Sequence, residues 1–248
     1  MTGTKFDRTQ FEQPSLTVDI VVFAMREGAL HLLVIERGIP PFEGCWALPG
    51  GFVLPRESVD QAAARELEEE TNLRDVYLEQ LYTFSEPERD PRGRVVSVAH
   101  MALLPADRVD QVQGGSDARA AKFERLPASI ERIEPADGRS TVGKSKRKRE
   151  ESEGYFAFDH DVIVATALAR LRGKLEFTTL AFELLPEEFT LTEAQHVYEA
   201  ILGRELDKVT FRRRLLAMEL VRETPRMRRG AHRPARLYRA APRASVWL

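Results

Sequence analysis

Three glutamates, Glu66, Glu69 and Glu70, stand at i, i+3 and i+4 within Ser58–Thr71, a stretch rich in strong helix formers. That spacing puts all three carboxylates on one helical face. Like charges so placed repel one another, and a hard divalent cation offsets the repulsion. Oxygen-only ligands suit Mg²⁺ or Mn²⁺, which in turn hold phosphate oxygens. A glutamate-rich helix taken alone is more often an acidic solvent face. Here it follows Trp46-Ala-Leu-Pro-Gly-Gly-Phe-Val53, where Gly50 and Gly51 allow the backbone to approach a ligand or metal closely. A chain with this segment needs a fold that feeds a rigid glycine turn into the start of a helix.

The flanking sequence supplies strands. Leu16–Met25 is rich in β-branched residues and is followed by a Glu27-Gly28 turn and then Leu30–Arg37, which together read as a hairpin. Gly38–Gly51, dense in Gly and Pro, reads as a loop. Val76–Phe84 and Val95–Leu104 read as two more strands around the polar loop Ser85–Arg94. Residues 113–153 break the pattern. From about Asp137 to Gly154, including Lys144-Ser-Lys-Arg-Lys-Arg149, there is no periodicity, and the stretch reads as a solvated insertion or linker. Helical patterning resumes at Asp159 and continues through Ala181–Leu185, Thr192–Leu202 and Asp207–Val221, with Thr192 and Asp207 as N-caps.

Charge divides the chain. It has 248 residues and a formal charge of −2. Residues 1–202 hold 24 basic and 35 acidic side chains, and residues 203–248 hold 13 basic and 4 acidic ones, so −11 is set against +9. An acidic body with a basic end suggests a small-molecule domain joined to an anion-binding one. The single cysteine, Cys45, excludes an internal disulfide framework. No apolar run is long enough to span a membrane and no leader pattern opens the sequence, so a cytoplasmic protein is expected.

The basic end has the organisation of a helix-turn-helix. Thr192–Leu202 and Asp207–Met218 are joined through Gly203. In the second helix Phe211, Leu215 and Met218 form a core stripe, while Thr210, Arg213, Arg214 and Ala217 fall on the far side. Such a face suits a DNA major groove, where Arg reaches guanine edges; Lys208 and Arg212 are placed for phosphates. Arg222–Arg239 reads as strand, loop, strand. The loop is a wing whose Arg226, Arg228, Arg229, Arg233 and Arg236 suit phosphate contact better than ion pairing, because only Glu223 lies near them in the sequence.

Written out, the glutamate segment is Gly51, five residues, Glu57, seven residues, Arg65-Glu66-Leu67-Glu68-Glu69-Glu70, then Thr71-Asn72-Leu73. This resembles the 23-residue Nudix box. Asn72 replaces the family's penultimate glycine, and Asn is the next best choice for a left-handed position after a helix. The resemblance implies that Glu66, Glu69 and Glu70 hold the metal, with Glu66 and Glu70 catalytic if the site is active. It implies that Arg65 pairs with Glu57 and braces the loop, and that Arg37, Trp46, Gly50, Gly51, Glu57 and Arg65 border the ligand.

A Nudix domain followed by a winged helix resembles the NrtR family of Nudix-related regulators of NAD metabolism. Further stretches carry that resemblance: Pro14–Asp19, Gln80–Phe84, Asp90–Arg94, Phe158–Asp161, Arg170–Leu175 and Leu185–Leu191. The expected fold is α+β. An N-terminal arm (1–13) precedes a Nudix α/β/α sandwich with a mixed sheet (14–136), a linker (137–157) and a winged helix-turn-helix (158–248). The resemblance implies a homodimeric bacterial repressor of NAD biosynthesis or salvage genes. It would bind palindromic operator DNA and release it on sensing ADP-ribose. The alternative is a working Mg²⁺-dependent ADP-ribose pyrophosphatase with an accessory DNA-binding tail.

Overall fold

The computed structural model describes residues 13–112, 118–136, 156–175, 178–229 and 234–241. The N-terminal arm and most of the 137–157 segment lie outside these residues. Seven strands form one sheet: β1 (Ser15–Arg26), β2 (Ala29–Arg37), β3 (Trp46–Ala47), β4 (Gly50–Phe52), β5 (Tyr77–Phe84), β6 (Val95–Leu104) and β7 (Ala118–Arg125). Their order is β3-β2-β1-β6-β5, with β4 paired to β1 and β7 paired to β2. Among these strands the β1–β6 pair is parallel and the other pairs are antiparallel, so the sheet is mixed.

The sequence of β1 explains its central place. Its apolar run is nearly unbroken because both faces are covered. Val18, Ile20, Val22 and Ala24 face one core with Ala62, Ala63 and Leu67 of helix α1 (Val59–Thr71). Val21, Phe23 and Met25 face a second core with Ile163, Val164, Leu168 and Leu171 of helix α2 (His160–Lys174). Helix, sheet and helix therefore stack as three layers. The β1–β2 turn has positive φ at both Glu27 and Gly28, the backbone that matches a two-residue hairpin to the strand twist.

Two parts of this sheet depart from the sequence reading. The Gly38–Gly51 loop contains β3 and the start of β4. Within 113–153, Ala118–Arg125 forms β7 along β2. It has no β-branched residue and carries charged side chains, as an edge strand does, so its pattern gives no strand signal.

The second core continues without a break into the C-terminal elements. It includes Leu180–Leu184, a 3₁₀ turn where a helix was expected, and helix α3 (Leu191–Leu202). It also takes in Leu215 of helix α4 (Lys208–Ala217) and Val221 of strand β8 (Val221–Arg228). Strand β9 (Ala235–Ala240) pairs antiparallel with β8, and Tyr238 bridges to Phe189. Helix α3 is capped by Thr190, not Thr192. Thr190 and Glu193 form a reciprocal capping box, while the Thr192 hydroxyl accepts from Arg212. Asp207 caps α4 by accepting from the Thr210 amide. The helix stops at Ala217, short of Val221, where the chain turns through a positive φ at Glu219.

Candidate functional site

The start of α1 is built as its sequence suggests. Ser58 and Gln61 form a capping box, and Asn72 ends the helix at φ 60°, ψ 21° with its amide donating to Glu68. The left-handed turn is thus made by Asn where a glycine would be the easier choice. Arg65 ties the glycine loop to the helix. Its Nε and Nη2 donate to both carboxylate oxygens of Glu57 at 3.0 and 2.7 Å, and Nη2 reaches the Phe52 carbonyl. These bonds hold Glu57 below its ordinary pKa and raise that of Arg65.

A cavity of about 340 Å³ opens between this loop, the strand ends and the start of α2. Of the residues singled out in the sequence, Arg37, Gly50, Gly51, Glu66 and Glu70 line it. Glu70 accepts from the Gly50 amide at 2.9 Å. Glu66 packs against Gly51, where a Cβ would stand 2.2 Å from its Oε1, so a side chain there would displace the Glu66 carboxylate. Burial raises the pKa of Glu66, and the Arg65 charge opposes that shift. Trp46, Glu57, Arg65 and Glu69 are not among the lining residues. Trp46 packs partly into the second core beneath Lys122, whose ammonium sits 4.1 Å from its ring centroid.

The expected three-glutamate metal site does not form in this arrangement. Arg65 Nη1 bonds Glu66 at 2.8 Å and Glu69 at 3.0 Å, so a guanidinium lies between two of the three carboxylates. Glu70 is turned to the Gly50 amide. Among the described residues, no three His, Cys, Asp or Glu side chains are arranged to hold a metal ion. The three carboxylates are hard oxygen donors of the kind Mg²⁺ or Mn²⁺ takes, but here Arg65 and the Gly50 amide engage them.

The deep wall of the cavity was not assigned from sequence. Asp19 of β1 accepts from Ser97 and Arg89, and Arg89 also grips Asp159 through Nε and Nη2 at 3.0 and 2.6 Å. His160 accepts the Leu48 amide on Nδ1, which leaves its proton on Nε2, facing Asp19 at 3.3 Å. Burial alone would raise the Asp19 pKa. His160, Arg89 and Ser97 outweigh it and hold the carboxyl well below its ordinary value. Nearer the mouth, Arg37 and Arg92 flank Phe158 at 4.8 and 5.6 Å from the ring centroid. Burial, then the charge of Arg92, lowers the Arg37 pKa. Two close guanidiniums beside an aromatic face favour an anionic ligand with a planar group. The segments Asp90–Arg94 and Phe158–Asp161 stand out in the sequence, but their convergence depends on residues some 70 positions apart.

At the C-terminal end, Lys208, Thr210, Arg213 and Arg214 are exposed on α4, as expected. Arg212 is half-buried, and its Nη2 donates to Thr192. The wing differs from the sequence reading. The fold brings Glu187, Glu188 and Glu193 alongside it: Arg228 pairs with Glu193, Arg226 and Arg239 with Glu188, and Arg239 also with Glu187. Arg236 pairs with Glu223. Ion pairing thus accounts for part of the arginine density. Arg229 is exposed, and Arg233 lies outside the described residues.

The glycine loop braced on a glutamate-bearing helix, in a mixed sheet between helices, together with the helix-turn-helix and its wing, defines a Nudix-domain protein with a winged helix. Residues 14–141 match the NUDIX domain and residues 181–240 the NrtR DNA-binding winged helix domain. The chain is 35% identical to the ADPR responsive transcriptional repressor NtrR of Acinetobacter baylyi, over 96% of this chain and 86% of that one, and it belongs to the NrtR family. The crystal structure of Shewanella oneidensis NrtR complexed with a 27mer DNA superposes with a TM-score of 0.71 at 33% identity, covering 91% of this chain and 93% of that one. The NUDIX domain of that protein complexed with ADP ribose matches 67% of this chain and 94% of its own length, at 30% identity and a TM-score of 0.50. Among the described residues, no helix is long and apolar enough to cross a membrane.

Proposed function

We propose that this chain is an ADP-ribose-responsive transcriptional repressor. The cavity takes the effector, and the winged helix takes double-stranded operator DNA. The observation that carries the reading is helix α2. Its first residues, Asp159 and His160, belong to the polar network at the cavity, and its far end holds the winged helix. Relatives named as ADPR-responsive, and solved with DNA or with ADP ribose, support both ligand classes. The same reading takes the chain to be a bacterial, cytoplasmic homodimer on a palindromic site in genes of NAD biosynthesis or salvage, because two-fold proteins match two-fold operators.

Arg37 and the glycine turn would meet the effector, and Lys208, Thr210, Arg213, Arg214 and Arg229 the DNA. The intact glutamates keep hydrolysis as a second reading. It requires Arg65 to release Glu66 and Glu69 so that Mg²⁺ or Mn²⁺ can enter. A gel shift with promoter DNA, with and without ADP-ribose, tests the first reading; the expected result is a shift that ADP-ribose reverses. Arg37→Ala should keep the shift and blunt the reversal. Rapid Mg²⁺-dependent release of AMP from ADP-ribose, with no shift of any promoter fragment, would establish the hydrolase instead.

A further inference from the structure

The exposed surface of α4 is not purely polar. Val209 and Leu216 are 71% and 48% exposed, two of the few large apolar side chains left open to solvent among the described residues. A lone exposed aliphatic side chain needs no explanation. These two share one face. At about 100° per residue, Val209 and Ala217 lie within about 40° of Arg213 on either side, with Leu216 at nearly the same angle as Val209 but about 10 Å further along the axis. Phe211 and Leu215 point the opposite way, Leu215 into the core and Phe211 edge-on to Tyr198. The outermost strip of the helix is therefore Val209, Arg213 and Ala217, with Leu216 at its border. The helix itself carries no acidic residue between Lys208 and Ala217.

An aliphatic side chain beside an arginine on a basic helix fits one partner chemistry well. In the major groove, thymine presents a 5-methyl group to apolar contact, and guanine presents O6 and N7 to Arg. Val209 and Arg213 are about 6 Å apart along the helix axis. That distance is nearly two base-pair steps of about 3.4 Å. Val209 also sits in the first turn of α4, the end of a recognition helix that approaches base edges. Resting on the proposal that the winged helix binds DNA, we infer that Val209 reads a thymine methyl group within about two base pairs of the guanine read by Arg213. Val209 is thus a specificity-determining residue.

The test uses the full chain. Duplexes are selected from a randomised pool by wild-type protein. Each thymine of the winning sequence is then replaced in turn by deoxyuridine, which removes only the methyl. One thymine position per half-site should cost wild type about fourfold in affinity, the scale of one buried methyl-sized group. Val209→Ala, an exposed helical position where Ala is a good helix former, should show a clearly smaller deoxyuridine penalty at that position. It should keep every other preference, including that for the guanine. An undiminished deoxyuridine penalty in Val209→Ala would overturn the inference while leaving DNA binding intact, as would the absence of any penalty in wild type. A selection that enriches no duplex would remove the DNA-binding reading as well. If Val209→Ser instead alters the sedimentation of the DNA-free chain and the methyl dependence persists, the strip is a protein contact and the inference fails.

Discussion

Asn72 and Asp19 show what single side chains contribute. Asn72 holds a left-handed turn at φ 60° directly after α1, and that turn returns the chain towards β5. A residue with a Cβ and no local hydrogen-bonding group is strained there, so Asn72→Ala should lower stability by about 1 kcal/mol in urea unfolding. Asn72→Gly should be tolerated. Asp19 is buried, and its folded pKa lies below the ordinary 3.8. The folded state therefore binds fewer protons than the unfolded chain as pH falls through that ordinary value. Its contribution is fully present above about pH 4 and is lost on acidification towards the folded pKa. In Asp19→Asn, neutral-pH stability should fall, and stability should depend less steeply on pH below 4, as followed by circular dichroism. The sequence makes the two residues unequally legible. The site of Asn72 follows from a local helix end. The ionisation of Asp19 depends on His160 and Arg89, which only the folded sheet brings to it.

At the scale of elements, the same contrast holds. The β1–β2 hairpin, α1 and the α3–α4 pair are encoded by local periodicity and caps, and they form close to where the sequence places them. Strand β7 and the segment Glu187–Glu193 are not legible in this way. The first is specified by its neighbour β2, and the second acquires its meaning only when the wing folds over it. Helix α2 has the most consequential position. Near its C-terminal end Arg172 donates to the Ile201 carbonyl at the end of α3 and to Glu131, both at 2.7 Å. Arg172→Ala should therefore leave ADP-ribose affinity and DNA affinity each within about twofold of wild type, because Arg172 lies at neither ligand surface. The effect of ADP-ribose on DNA release, typically worth about 1–3 kcal/mol in such couplings, should shrink. Titrating the gel shift with ADP-ribose for both proteins measures this; an unchanged effect would show that the signal does not pass through this bond.

For the molecule as a whole, the opposed charges of body and C-terminal end meet in the ion pairs of the wing. Arg226, Arg228, Arg236 and Arg239 each have a glutamate partner before DNA arrives. A phosphate contact there exchanges one anion for another, so affinity should fall with salt less steeply than the number of arginines suggests. Glu188→Gln frees Arg226 and leaves Arg239 only its Glu187 partner. It should tighten binding at about 0.1 M salt and steepen the slope of log K against log salt by about one unit per arginine released. The shared core and α2 carry a larger consequence for the proposed repressor. Coupling between two binding sites is reciprocal: if ADP-ribose weakens operator affinity by some factor, operator DNA weakens ADP-ribose affinity by the same factor. A chain seated on its operator is then a poorer detector than one free in solution. ADP-ribose would fill the unbound molecules first and keep them from rebinding, and the effector concentration that relieves repression would rise with the number of occupied operators in the cell.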